Sequence, residues 1–380
     1  MNIGIDAHML GHNETGNETY VLELARALAA RDSGDTFFVY VEARDALPRE
    51  IYAASRVRVI EYATRSGLQR LVWELPQRAA RDQLDVLHIS YNAPLRVPPP
   101  CALVVTIHDI SFEHFPEFFS RRLRAFLKFS VPRSARAAHR IITDTESAKL
   151  DLMKTYNLPA EKIAVTHYAA GAQYRRIEDA ARLARVRAKY NTGEPFILAV
   201  GNLQPRKNWT RLIRAFLQAK HVARLPHKLV IVGQRSGRDT AILDAARDDP
   251  DAVILTGYVP AEDLPLLYNA AQMFAYPSLY EGFGLPVVEA MACGTPVITS
   301  NVSCMPEIAG EAALLVNPYH EAEIAAALVR IASDPSYRAE LETRGFARAR
   351  AFAWERTAQQ TLDVYRKAVL QRAPAQTAWA

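Results

Sequence analysis

Apolar residues along the chain gather in short runs rich in Val, Ile and Leu. The first, 1–7, passes through the polar stretch GHNETGNET into YVLELARALAA. That order predicts a strand, a loop and a helix, the opening of a βαβ unit. FFVYVE, RVRVIEY, VLHIS, ALVVTIHD, RIITD and KIAVTHY extend the series, with helix-like segments between several of them. Short apolar runs alternating with helices predict a parallel sheet covered on both faces. A second series follows: PFILAVG, KLVIVG, AVILTG, MFAYPS, PVITS and AALLV. Between these runs stand the helical segments WTRLIRAFLQAK, AEDLPLLYNA and GLPVVEAMAC, with 321–332 after the last. It predicts another open α/β sheet.

With 380 residues the chain is long enough for two such domains. The expected division is 1–175 for an N-terminal domain and 176–350 for a C-terminal domain, with a hinge within 169–193. A helix over 351–370 is expected to return to the first domain, at the end of a helical segment running from about 335 to 370. A composition of 49% hydrophobic and 23% charged residues sets disorder aside. Three cysteines, Cys101, Cys293 and Cys304, have no knuckle spacing, so neither a disulfide scaffold nor a structural zinc site is expected. The opening run has no basic leader or cleavage site, and no stretch approaches a membrane span, so a cytoplasmic protein is expected.

A net charge of +5 is small for this length and does not indicate a nucleic-acid partner. Its distribution is uneven. SRRLRAFLKFSVPRSARAAHR carries seven basic residues and no acidic one, interleaved with Leu123, Phe126, Leu127 and Phe129 and preceded by Phe115, Phe118 and Phe119. The segment 114–140 can lie on an anionic membrane surface, at the inner face of a membrane, or grip an anionic acceptor. The other reading is a solvated basic helix face, with Pro132 interrupting the stretch.

Two open α/β sheets take ligands at the carboxyl ends of their strands. There, Gly282 and Gly284 let a loop approach a ligand, and the segment after them can start a helix whose positive end faces an anion. Arg206 and Lys207 follow a strand and suit a diphosphate, a guanidinium fork beside a point charge. Gly233, Tyr258 and Val259, at two further strand ends, are candidates for surrounding a base, or the glycine only terminates its strand. His108 and Asp109 close ALVVTIHD; a neutral imidazole can bond a sugar hydroxyl, and Asp109 can orient the ring or the local backbone.

PSLYEGFGLPVVEAMACGTPVITSNVSCMPEIAGEAALLVNP, with GNLQPRKNW and the N-terminal glycine loop, resembles the retaining glycosyltransferases of family 4, which include bacterial polysaccharide mannosyl- and glucosyltransferases. The likeness covers nearly the whole chain. It implies the GT-B fold, two Rossmann-like doubly wound domains facing across a deep crevice. It implies that Glu281, with the amides of Phe283, Gly284 and Leu285, lies at the donor hexose, and that Glu289 holds the ribose. Arg206 and Lys207 are assigned to the donor phosphates; Asn202 stands where many relatives have an arginine, and the guanidinium is expected to come from Arg206 instead. Gly16, with Asn17 beside it in the first loop, is assigned to the diphosphate, and His108 to the junction of acceptor and donor hexose.

The implied reaction retains the donor's α configuration, needs no cofactor and no metal, and follows a front-face route. The expected transfer is of mannose from GDP-mannose to a lipid-linked or polysaccharide acceptor. A UDP-glucose-dependent transferase and a non-catalytic sugar- or anion-binding protein are the alternatives.

Overall fold

The structure is a computed structural model that describes residues 1–12 and 15–371. Among the described residues every apolar run named above forms a strand. In the first half these are β1 (Asn2–Asp6), β2 (Thr36–Val41), β3 (Val57–Glu61), β4 (Val86–Ser90), β5 (Ala102–Thr106), β6 (Arg140–Thr143) and β7 (Ile163–Val165). The second half gives β8 (Phe196–Val200), β9 (Lys228–Val232), β10 (Val253–Gly257), β11 (Met273–Tyr276), β12 (Val297–Ser300) and β13 (Ala313–Val316).

The first seven pair as one parallel sheet in the order β3-β2-β1-β4-β5-β6-β7, and the other six as β10-β9-β8-β11-β12-β13. The central strands β4, β5, β8, β11 and β12 are buried at every position, as strands with helices on both faces must be. Strand order reverses between β1 and β4 in one sheet and between β8 and β11 in the other. Such switch points leave room for a ligand beyond the carboxyl ends.

The chain folds as two compact units. One gathers Met1–Glu113, Ser120–Tyr168 and the C-terminal stretch from Ala353; the other gathers His114–Phe119 and Ala169–Phe352. The segment expected to act as one basic surface is therefore divided. Its aromatic start packs within the second unit, where the rings of His114 and Phe115 lie 5.4 and 6.0 Å from Tyr280 and Arg238 Nη1 donates to the Glu117 carbonyl at 2.8 Å. The remainder is the helix Arg121–Ala137, N-capped by Ser120 and continuous through Pro132. The expected helical segment after 335 is two helices, Pro335–Arg350 and Trp354–Gln371.

Candidate functional site

In the second unit the loops after β8 and β11 meet at the switch point, and they carry the charges. Glu281 is buried, and its carboxylate is bonded on both oxygens. Oε1 accepts from Lys207 Nζ at 2.7 Å, Ser278 Oγ at 2.6 Å and the Tyr276 hydroxyl at 2.9 Å; Oε2 accepts from Arg206 Nη1 at 2.5 Å. Burial by itself pushes this carboxyl up, but Arg206 and Lys207 outweigh it and bring it down to about 2. Arg206 Nη1 also donates to the Tyr280 carbonyl at 2.6 Å, so both cations are held at the mouth of the same loop.

That loop leads into the helix Leu285–Cys293 through Gly284, whose φ of +89° is open to glycine at little cost. Ser303 Oγ donates to the Glu281 carbonyl at 2.8 Å, and Cys304 Sγ lies 3.2 Å from the same oxygen, so the glycine turn is pinned from behind. Gly282 and Phe283 are buried, Phe283 with its ring edge-on to Phe352, while Leu285 is partly exposed at the start of the helix. What this segment offers a ligand is its backbone and the positive end of a nine-residue helix.

Glu289 lies on that helix but turns inward. It is 5% exposed, with Oε2 accepting from the Tyr268 hydroxyl at 2.9 Å and Tyr174 also bonded to the carboxyl. Burial, opposed only by the two tyrosine bonds, raises its pKa to about 7.

Gly233, Tyr258 and Val259 come together at the ends of β9 and β10, beside β8. Tyr258 is exposed and Val259 buried. Gly233 has a packing reason of its own, since a Cβ there would stand 2.1 Å from the Gly201 carbonyl oxygen. Asn202 links the same loops, its Oδ1 accepting from the Gln234 amide at 3.1 Å.

In the first unit His108 is buried just past β5. Its Nδ1 lies 3.1 and 3.2 Å from the two carboxylate oxygens of Asp144, and the Tyr168 hydroxyl closes on both Nδ1 and Asp144 Oδ1. Burial pushes the Asp144 carboxyl above its ordinary range against the pull of His108. His108 Nε2 is buried and has no hydrogen-bond partner among the described residues. Of the two tasks open to Asp109, it performs the backbone one: Oδ1 accepts from the Ser111 amide at 2.9 Å, and its amide donates to the Tyr91 hydroxyl at 3.2 Å.

Sequence reasoning missed Asp144, although it ends the strand run RIITD beside β5 just as His108 ends ALVVTIHD. It also missed Tyr276, Ser278 and Asn208, whose Nδ2 ties the carbonyls of Pro277 and Pro318 together at 3.0 and 2.7 Å.

The expected glycine loop is shorter than the sequence suggested. Gly16 and Asn17 lie in the first turn of the helix Thr15–Ala29, not in the loop before it, and Asn13 and Glu14 fall outside the described residues. A Cβ on Gly16 would meet nothing within 4 Å, so packing does not demand glycine there. Among the described residues no group of three or more His, Cys, Asp or Glu side chains could hold a metal ion, and no helix is long and apolar enough to cross a membrane.

Comparison with known proteins bears on this arrangement. Residues 182–348 match the family model for glycosyl transferases group 1, and residues 15–169 that for glycosyltransferase family 4. The chain is 31% identical over 365 residues to the O-antigen chain mannosyltransferase B of Escherichia coli, covering 93% of this chain and 96% of that protein. Among solved structures it is similar in fold to Anabaena HepE in complex with UDP-glucose, with a TM-score of 0.73, 20% identity and coverage of 96% and 98%. WaaG, a glycosyltransferase involved in lipopolysaccharide biosynthesis, gives a TM-score of 0.73 at 17% identity, with coverage of 96% and 99%. With two Rossmann-like units of the GT-B type and both family models matched in order, the chain belongs to the family 4 glycosyltransferases and is a nucleotide-sugar-dependent enzyme that glycosylates a saccharide acceptor.

Proposed function

We propose that the protein is a retaining hexosyltransferase whose donor diphosphate is taken by Arg206, Lys207 and the start of the helix Leu285–Cys293. The observation that carries this reading is the Glu281 cluster, two cations gathered on one buried carboxylate at a switch point. Without donor, Glu281 keeps both cations in place. With donor, the diphosphate shares them, and the carboxylate is left to accept bonds from hexose hydroxyls. As the acceptor oxygen bonds to the anomeric carbon, the bond from that carbon to the diphosphate breaks and charge grows on the leaving phosphate. Cations already fixed beside it stabilise that charge without reorganising. The acceptor's proton passes to the leaving phosphate on the same face, which keeps the anomeric configuration and needs no metal. Glu289 takes the ribose hydroxyls, and Gly233, Tyr258 and Val259 surround the base.

Of the two donors the sequence leaves open, UDP-glucose has the more direct support, because a protein of the same fold is solved with that donor bound. GDP-mannose is supported by the full-length likeness to an O-antigen chain mannosyltransferase. Purified protein with a panel of nucleotide-sugars, EDTA and lipid-linked saccharides decides between them. Acceptor-stimulated release of UDP, with a product of retained anomeric configuration, is the expected result. Release only from GDP-mannose moves the donor, and binding without release under every condition overturns transfer itself.

The helix Arg121–Ala137 exposes Leu123, Phe126 and Phe129 among Arg121, Arg122 and Lys128, a face suited to the anionic inner surface of a membrane where a lipid-linked acceptor would be met.

In the first unit His108 bonds a sugar hydroxyl through Nε2. Asp144 holds the proton on Nδ1 and so keeps Nε2 an acceptor. Asp144→Asn puts an amide donor against Nδ1 and reverses that tautomer. A loss of about 1–3 kcal/mol in transition-state stabilisation, roughly 5- to 150-fold in kcat/KM, is expected. A melting temperature within a few degrees of the wild type, read beside the rate, separates this effect from unfolding.

A further inference from the structure

The first unit carries a feature that donor chemistry does not use. Beyond the carboxyl end of β3, the loop after Tyr62 and the helical stretch that follows enclose a depression of about 460 Å³. Its walls include Thr64, Gln69, Trp73, Glu74, Gln77 and Arg78. Trp73 is 65% exposed, although burying an indole is one of the larger gains open to a folding chain. It is presented by Arg70–Glu74, a π-helical turn, a rare geometry that recurs at functional sites.

The walls are braced. Glu74 Oε1 accepts from the Ala63 amide at 2.7 Å and from Arg78 Nη2 at 3.1 Å, and Oε2 accepts from the Thr64 amide at 3.2 Å. Arg78 Nη2 also donates to the Glu61 carbonyl at 3.0 Å, and Thr64 Oγ1 donates to Gln69 Oε1 at 2.6 Å. Gln77 stays exposed at the edge. The groove thus offers one flat aromatic face, planar amides, and a carboxylate already matched by a guanidinium.

We propose that this groove is a saccharide subsite that binds sugar units of the acceptor remote from the end being extended. A pyranose has an apolar C–H face that stacks on an indole and a rim of hydroxyls that bond amides and carboxylates in pairs, and the groove supplies both. The charges do not select an anion: Glu74 pairs with Arg78 within the site, and Arg81, the other cation of the lining, lies 3.8 Å from Asp82. A lipid surface is disfavoured because the indole shares its groove with the Gln69 and Gln77 amides and the Glu74 carboxylate.

The groove follows β3 and His108 follows β5, with β2, β1 and β4 between them in the sheet. Four strand steps of about 4.8 Å give roughly 19 Å along the rim, beyond the reach of a single hexose. The subsite therefore distinguishes a chain from a short acceptor. This inference rests on the acceptor being a saccharide chain.

The test uses the full chain labelled with 15N at tryptophan and titrated with linear mannosaccharides and maltosaccharides of one to eight units. Trp73→Phe identifies the Trp73 indole signal. We expect one of the longer series to shift that signal while the monosaccharides do not. With the matching donor, acceptor KM should fall as the chain lengthens. Trp73→Ala should flatten that dependence, raising KM for long acceptors about three- to tenfold and leaving kcat on the shortest unchanged. Gln77→Ala should act in the same direction.

A Trp73 signal unmoved by every saccharide, or moved only by vesicles of phosphatidylglycerol, overturns the proposal. So does an unchanged length dependence in Trp73→Ala. The binding readout needs no turnover, so a shifted Trp73 signal in a protein that transfers no sugar would uphold the groove while the transfer reading failed.

Discussion

Glu281→Gln is expected to weaken the second unit by about 3 kcal/mol at neutral pH and to lower turnover by roughly two to three orders of magnitude. The carboxylate accepts from Lys207, Ser278, Tyr276 and Arg206, and an amide can neither balance both cations nor accept at its NH2 end. The stability figure follows from linkage. A carboxyl held at about 2 against an ordinary value of 4.5 contributes stability that is complete above pH 4.5 and is lost as pH falls toward 2. Urea unfolding of the wild type between pH 7 and pH 2 should show that loss, and the variant should lack it. Nucleoside diphosphate affinity should fall much less than turnover, since Arg206 and Lys207 remain. A variant with the wild type's acid profile and rate would mean that the cluster is neither a stabilising nor a catalytic element.

For Glu289 the sign is opposite. Its carboxyl is raised from 4.5 to about 7, so the stability it contributes is complete below pH 4.5 and is lost as pH rises through 7. Above pH 7 the wild type carries a buried charge that only two tyrosine hydroxyls satisfy. Glu289→Gln keeps an acceptor for Tyr268 and removes that charge. It should therefore stabilise the ligand-free protein by up to about 3 kcal/mol at pH 8 and by almost nothing at pH 4. Under the proposed function the same variant should bind the donor more weakly at pH 8, because a carboxylate accepts from two ribose hydroxyls better than an amide. Wild-type donor affinity should rise between pH 6 and pH 8 as the group ionises. Melting temperatures at the two pH values and donor titration across that range check both halves. A stability gain equal at pH 4 and pH 8 would show that Glu289 does not ionise in this window.

Much of the architecture was legible along the chain. The strand runs were visible because a strand buried on both faces must be apolar at nearly every position, as ILAV and MFA are, and such runs need no knowledge of their neighbours. The glycine turn before Leu285 was visible for a similar reason, since positive φ and a helix start are local properties. The first loop was less so: Gly16 and Asn17 read as loop residues, yet the helix begins at Thr15, because one glycine in a first turn is a small penalty against the burial of Tyr20, Val21 and Leu24 behind it.

The sequence by itself determined two α/β units, their strands, the family, and the side chains able to meet a diphosphate. Which of those charges meet was decided only by tertiary structure. Arg206 reaches Glu281 across 75 residues because β8 and β11 are neighbours, an adjacency set by the order of strands and not by either segment. His108 takes Asp144 in place of its sequence neighbour Asp109 because β6 pairs with β5 and brings its last carboxylate alongside the ring. Glu289, read from the sequence as the ribose ligand, is held against Tyr268 by the packing of two helices. Periodicity reports which face of an element is buried. A charge's partner depends on what lies across that face, and this is fixed only when strands far apart in the chain take adjacent places in the sheet.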